Sequence, residues 1–174
     1  MHEKKTGNKW FETQDQIAYY PEFEKEKVVW QRITQEPTFC SVEMGVYILD
    51  SMVFFTATKN LKYFMAVLNS KAIYYYVNKI VHQYGFTGFR LSNQYVEIMP
   101  IPSITSANAT IVKQIEELVD KILAAKKHAS TSSASNPQAD TSHLEREIDE
   151  LVYKLYDLTE EEVGIVEGDF RLKI

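Results

Sequence analysis

The hydrophobic positions of this chain change period along its length, and the changes mark its elements. Lys27-Val28-Val29-Trp30-Gln31-Arg32-Ile33 is rich in β-branched and aromatic residues and predicts a strand. Two more strands are predicted over 39–49 and 52–57, with Asp50-Ser51 as a tight turn between them. From Leu61 the period lengthens. Leu61, Phe64, Met65, Leu68 and Ala72 fall at helical spacing, so 61–81 predicts helix. Asn69 and Ser70 are poor helix formers and are expected to divide it in two. Residues 84–92 hold Gly85 and Gly88 among polar and aromatic side chains and predict a loop. Residues 94–101 predict a last strand, ended by Pro100 and Pro102, which cannot donate to a ladder.

After Pro102 the pattern becomes helical. Ile111, Ile115, Leu118, Ile122 and Ala125 step by four, three, four and three, and Leu144, Ile148, Leu151, Leu155 and Leu158 repeat that step. Between the two stripes, residues 128–141 are rich in Ser, Thr and Ala, as in a flexible loop. Ser142-His143-Leu144-Glu145 has the form of a capping box that opens the second helix, and Thr159-Glu160-Glu161-Glu162 of another that opens a short last one. Two stripes joined by a flexible loop predict an antiparallel helical hairpin. Each stripe is only about two heptads long, short of a sustained coiled coil, which favours packing within the chain over packing on a partner. The fold class is therefore α+β. The expected organisation is a linker or frayed start over 1–16, an α+β domain over 17–103 with mixed or antiparallel strands, and a helical hairpin over 104–174.

Composition sharpens this picture in a few places. Hydrophobic residues make up 45% of the chain, enough for a substantial core and against wholesale disorder. No apolar run approaches the roughly 20 residues that span a bilayer. Met1-His2-Glu3-Lys4-Lys5 is not followed by the apolar stretch of a secretory signal, and the one cysteine, Cys40, has no partner for an internal disulfide. A cytoplasmic protein is expected, with Cys40 as a small core residue. The net charge of −5 does not advertise nucleic-acid binding, but the acidity is uneven. Residues 1–103 carry 11 Lys and Arg against 10 Asp and Glu, and residues 104–174 carry 8 against 14. The first part is nearly neutral, which is compatible with a DNA reader if another domain supplies much of the phosphate contact.

No catalytic centre is legible. His2, His82, His128 and His143 have no second His or Cys at metal-ligand spacing, and neither a nucleophile elbow nor a phosphate-binding loop occurs.

Two segments carry a family resemblance. Leu61-Lys62-Tyr63-Phe64-Met65-Ala66-Val67-Leu68-Asn69-Ser70-Lys71, followed by Tyr95-Val96-Glu97-Ile98-Met99-Pro100-Ile101-Pro102, resembles the C-terminal target recognition domain of TaqI-like adenine-N6 DNA methyltransferases and of fused type IIG restriction-modification enzymes. Residues 27–34 look like that family's opening strand, 47–57 like its next hairpin, and 115–127 and 144–168 like the helices that close such enzymes. A related arrangement occurs in type I restriction specificity subunits. The resemblance implies sequence-specific recognition of double-stranded DNA by a piece of a longer enzyme. The Asn-Pro-Pro-Tyr-type and Phe-x-Gly-x-Gly-type motifs of the methyltransferase are absent, and the one Glu-x-Lys, Glu3-Lys4-Lys5, lacks the acidic partner of a nuclease. Chemistry is thus expected from a separate methyltransferase domain using S-adenosylmethionine, and from magnesium if a nuclease is fused, with no cofactor in this piece.

The matching segments read as scaffold: 61–71 is most simply a buried helix, with Asn69 hydrogen-bonding backbone near the break. Candidate DNA contacts come from side-chain chemistry instead. His82, Gln83, Tyr84, Thr87 and Arg90 combine donors with glycines that permit close backbone approach, and Arg and Gln can read guanine and adenine by paired hydrogen bonds. The aromatic residues there are alternatively core, and Arg90 alternatively pairs with an acid such as Glu97. Gln31, Arg32 and Thr34 form a second polar edge, alternatively a solvated strand end. Lys71 and Lys79 are read as positioning a phosphate or facing solvent. The rival functions are a piece of the specificity subunit of a type I restriction system, whose hairpin would mediate subunit assembly, and a protein-interaction module with no DNA contact.

Overall fold

Strand β1 (Lys27–Gln31) leaves its first sheet at Arg32 and continues as β2 (Ile33–Thr34) in a second one. The structure, a computed structural model, describes Lys9 and residues 18–81, 83–85, 88–131 and 139–171, with backbone alone at 83, 84, 130, 131 and 169–171. In the first sheet β1 lies between β3 (Phe39–Val42) and β4 (Met52–Thr56), antiparallel to both. Alternation along β1 gives the sheet two faces. Val28 and Trp30 join Phe39, Val53 and Phe55 in the main core, whereas Val29 aligns with Cys40 and Phe54 on the reverse. A 3-10 turn, Tyr20–Glu24, covers that reverse face by setting Phe23 against Tyr47 and Phe54, with ring centroids 4.9 and 5.0 Å away.

The strand predicted over 39–49 stops at Val42, because the chain turns outward there to reach this aromatic cover. Gly45 makes the bend at φ +77 and its amide donates to the Phe23 carbonyl at 3.0 Å. The expected turn at Asp50-Ser51 is present, closed by the Met52 amide on the Leu49 carbonyl at 2.9 Å. It does not join paired strands, since β3 and β4 flank β1 on opposite sides. Cys40 is exposed rather than buried, because Phe39 takes the core face of this edge strand.

The predicted helix divides where expected, into α1 (Leu61–Leu68) and α2 (Lys71–Ile80). Asn69 explains the break. Its Nδ2 donates to the carbonyls of Phe39 at 2.8 Å and Met65 at 2.9 Å, while its Oδ1 accepts from the Phe39 amide at 2.9 Å. The side-chain amide thereby makes the pair of hydrogen bonds that a neighbouring strand would make, and fixes the end of α1 on the edge of β3. Ser70 then caps α2, accepting from the Ile73 amide at 3.4 Å and donating to the Val67 carbonyl at 2.7 Å.

Two further differences from the sequence reading occur after α2. In place of a loop over 84–92, the described residues form a short antiparallel pair, β5 (Gln83–Tyr84) and β6 (Gly88–Arg90). In place of a strand over 94–101, a single turn α3 (Asn93–Val96) leads into extended chain. The apolar residues there satisfy a helical turn as well as a strand, with Tyr95, Val96 and Met99 on the core side. The proline-rich end needs no ladder. The Tyr63 hydroxyl donates to the Pro102 carbonyl at 2.7 Å and the Tyr156 hydroxyl to the Pro100 carbonyl at 2.6 Å. Burial pushes the Tyr63 phenol up to about 12.

The tail folds back as α4 (Ala109–Thr131), α5 (Ser142–Leu155) and α6 (Glu160–Arg171). The predicted stripe residues Ile111, Ile115, Leu118 and Ile122 belong to the main core or pack on it, and so do Leu144, Ile148, Leu151 and Leu155. Val112, Val119 and Val152 widen both stripes beyond a coiled-coil seam, which is why the helices bury against α1 and α2 of their own chain. The box predicted at Ser142 and Glu145 does not form: α5 begins at Ser142, Thr141 takes the cap position without a side-chain cap bond, and its hydroxyl donates to Glu145 Oε1 at 2.7 Å. Asp157, at φ +54, ends α5 with the paired Leu158-to-Tyr153 and Asp157-to-Lys154 backbone bonds of a Schellman turn. The box at Thr159 and Glu162 forms as predicted, with hydrogen bonds of 2.8 and 3.3 Å in the two directions.

α2 is tied to the tail through polar groups. Asp149 of α5 accepts the Lys71 amide at 2.9 Å, and the Lys71 ammonium lies 2.9 Å from Glu167 of α6 and 3.7 Å from Asp149. Burial raises the Asp149 carboxyl to about 6, with the Lys71 amide and ammonium opposing the shift.

Two predictions follow from these contacts. Asn69→Ala removes three hydrogen bonds and leaves the backbone of Phe39 unpaired, so urea unfolding should show a loss of about 2–3 kcal/mol; a loss under about 0.5 kcal/mol would show the clamp to be dispensable. The second concerns pH. The Asp149 carboxyl lies above its ordinary value in the folded state, so folding takes up a proton there. Its contribution to stability is complete below about pH 4 and is lost as pH rises through about 6, by up to about 3 kcal/mol. Asp149→Asn should remove this part of the pH dependence, read as the difference between the two proteins' unfolding free energies from pH 4 to 8.

Candidate nucleic-acid interface

The second sheet brings together stretches that the sequence presents separately. β2 pairs with β6, aligning Ile33 with Arg90 and Thr34 with Phe89, and β6 pairs with β5, aligning Phe89 with Gln83 and Gly88 with Tyr84. One three-stranded patch therefore carries the polar ends of both predicted edges.

Its mounting on the core is specific. Phe89 is buried, edge-on to Tyr74 with centroids 6.5 Å apart, and Leu91 is fully buried. The buried Trp30 indole donates to the Leu91 carbonyl at 2.9 Å, and the Leu91 amide donates to the Arg32 carbonyl at 2.8 Å. The Arg32 amide in turn donates to the Ser51 carbonyl at 3.0 Å. Alternation along β6 buries Phe89 and so turns Arg90 outward, beside its cross-strand partner Ile33, which is 51% exposed. Among the described residues Arg90 makes no ion pair with Glu97 or any other acid.

The other candidates divide. Gln31 is exposed at the end of β1. The Arg32 guanidinium lies 3.6 Å from the Asp50 carboxylate. The Thr34 hydroxyl is engaged locally, donating to the Glu36 carbonyl at 2.7 Å and accepting from the Glu36 amide at 3.2 Å, so it shapes the turn beyond β2. Lys79 is exposed on the last turn of α2, its ammonium 4.7 Å from the centre of the Tyr75 ring. Gln83 and Tyr84 are placed in β5 by their backbone, while His82 and Thr87 lie outside the described residues. Lys71 belongs elsewhere. Its ammonium is held by Glu167 and Asp149 where α2 meets α5 and α6. Two residues at the patch escaped the sequence reading. Asp50 had only the signature of a turn, and Ile33 that of a buried strand residue.

Among the described residues no three His, Cys, Asp or Glu side chains converge as metal ligands. A cleft of about 560 Å³ lies away from the patch, between β3, the α1–α2 junction and the α4–α5 pair. Of the ionisable groups on its walls, Lys71 pairs with Asp149 and Lys126 with Glu145 at 3.3 Å, which is a structural pattern.

The model of the TaqI-like C-terminal specificity domain matches residues 2–101, which is more than half of the chain. The chain belongs to that family. A specificity domain recognises DNA sequence in restriction-modification systems and is itself non-catalytic. The match spans both small sheets, α1, α2 and α3, and ends in the segment held by Tyr63 and Tyr156. No curated protein matches the chain closely enough to serve as a relative. No helix among the described residues is long and apolar enough to cross a membrane.

Arg90 and Lys71 should behave oppositely. Arg90→Ala should weaken DNA binding by about 1–3 kcal/mol and leave the melting temperature unchanged. Lys71→Ala should cost about 2 kcal/mol of stability, since it strips the cation from two carboxylates, and leave DNA affinity of the folded protein intact. Binding isotherms and thermal melts on the same two proteins check both, and a stability loss confined to Arg90→Ala would reverse the assignment.

Proposed function

We propose that this chain reads the target sequence for a bacterial restriction-modification enzyme that methylates adenine at N6. In this reading the β2–β6–β5 patch faces the major groove, with Gln31, Arg32 and Arg90 as principal contacts. The observation that carries the reading is the pairing of β2 with β6 in a chain of this family, which sets exposed Arg90 beside Ile33 and next to the 31–34 stretch. Phosphate contacts from Lys79 would set register, and base contacts from the arginines and glutamines would set sequence.

The chemistry belongs to the rest of the parent enzyme. A methyltransferase domain with S-adenosylmethionine would take up the flipped adenine, and a fused nuclease, as in type IIG enzymes, would need magnesium. The enzyme would work in the cytoplasm, where its DNA is. Assembly of subunits through the tail, as in a type I specificity subunit or a protein-interaction module, has less support. The apolar stripes of α4 and α5 are committed to this chain's own core.

Selection from a randomised duplex library at low salt, followed by a moderate salt wash and sequencing, tests the reading. A short enriched motif is expected, from the chain itself or from its parent enzyme where both domains must clamp the duplex. Failure of both to enrich any motif would contradict it.

A further inference from the structure

We infer that Asp50 is a positioning residue for DNA specificity, holding the Arg32 guanidinium in the orientation that hydrogen-bonds a guanine edge. The inference rests on the DNA-recognition reading above and names the base class that this part of the patch would take.

Arg32 is fixed at its root more firmly than an exposed strand-end residue requires. Its amide is bound to Ser51 and its carbonyl to Leu91, at the point where β1 passes from one sheet to the other. Its side chain is 42% exposed and so reaches solvent from a backbone hydrogen-bonded on both sides. Asp50 stands at the tip of the turn that Ser51 anchors, with 98% of its side chain exposed and its carboxylate 3.6 Å from the guanidinium.

Two bland accounts of Asp50 are weak. The turn is closed by the backbone of Leu49 and Met52 and does not need a carboxylate. An ion pair this exposed adds little to stability, because water screens it. At a DNA-facing rim a carboxylate also repels phosphate and so lowers non-specific affinity. Its use there is geometric. An arginine presents five N–H donors in a planar fork, and paired recognition of guanine O6 and N7 needs that plane held in place. At 3.6 Å the carboxylate lies beyond hydrogen-bond range and acts on the guanidinium as a nearby charge, which biases the fork towards the Asp50 turn and leaves all its N–H donors for the base. Arg90, with no acid partner among the described residues, is less constrained and suits a phosphate or a more tolerant contact.

The test is library selection with the wild-type chain, Arg32→Ala, Asp50→Ala and Asp50→Asn, in the parent enzyme if the chain alone enriches nothing, with thermal melts to establish folding. Arg32→Ala should cut discrimination at one guanine of the motif by about tenfold or more. Asp50→Ala should relax the same position by a smaller factor, leave the melting temperature unchanged, and bind DNA lacking the motif as tightly as wild type or more so. Asp50→Asn, which keeps the shape of the turn and removes the charge, should behave like Asp50→Ala. An Asp50→Ala motif identical to wild type, or altered only where Arg32→Ala has no effect, overturns the inference and leaves DNA recognition standing. A wild-type protein that enriches no motif in either form overturns both.

Discussion

The patch proposed to face DNA exists because a buried tryptophan in one sheet holds the backbone of a strand in another. Trp30 sits in the core between Phe39 and Phe55, and its indole N–H needs an acceptor there. The Leu91 carbonyl supplies it, at the point where β6 ends. That bond and the Leu91-to-Arg32 backbone bond place β2 beside β6 and fix which residues of each point outward. A shift of one residue would turn Arg90 inward and Phe89 to solvent, exchanging a buried ring for a buried cation. The energetics of the core and the presentation of the arginines are therefore one constraint. Neither sheet is large, and the second would not stand without the first.

The rest of the fold supports this arrangement from behind. Asn69 fastens the α1–α2 junction to β3, Ser70 starts α2, and Asp149 and Glu167 hold the Lys71 end of α2 against the tail. The other end of α2 leads directly into β5. A helix secured at its first residue thus aims the hairpin that completes the patch. The tail helices complete the same hydrophobic cluster that Trp30 and Tyr63 belong to, so recognition surface and tail share one core.

Much of this was legible in the sequence where a residue's chemistry left few options. The helix break at Asn69-Ser70, the box at Thr159 and Glu162, and the stripes of α4 and α5 all follow from local geometry and spacing. The errors lie where the deciding partner is distant. Residues 39–49 are mostly strand formers, but Gly45 permits a bend and the chain turns after Val42 to meet Phe23. Residues 94–101 alternate like a strand, but among the described residues no strand pairs with them and tyrosine hydroxyls satisfy the carbonyls of Pro100 and Pro102. Cys40 looks apolar in sequence and is turned outward by its neighbour Phe39. For the candidate site, residue types were readable and their assembly was not. Nothing local announces that Ile33 and Arg90 are cross-strand partners, or that the Asp50 turn lies against Arg32, because both depend on the crossing at Leu91. Lys71 shows the converse. It looked like a surface cation and is part of an internal ionic cluster, since α5 and α6 arrive from the far end of the chain.

The central claim is that one small sheet, mounted through Trp30 and Leu91, is the surface that meets DNA. Amide hydrogen exchange, compared between the free protein and its complex with a duplex bearing the enriched motif, tests it most directly. The account predicts added protection at residues 31–34, 49–51 and 83–91, with α5 and α6 unchanged. Protection concentrated on α5 and α6, with the β2–β6–β5 patch exchanging as in the free protein, would contradict it.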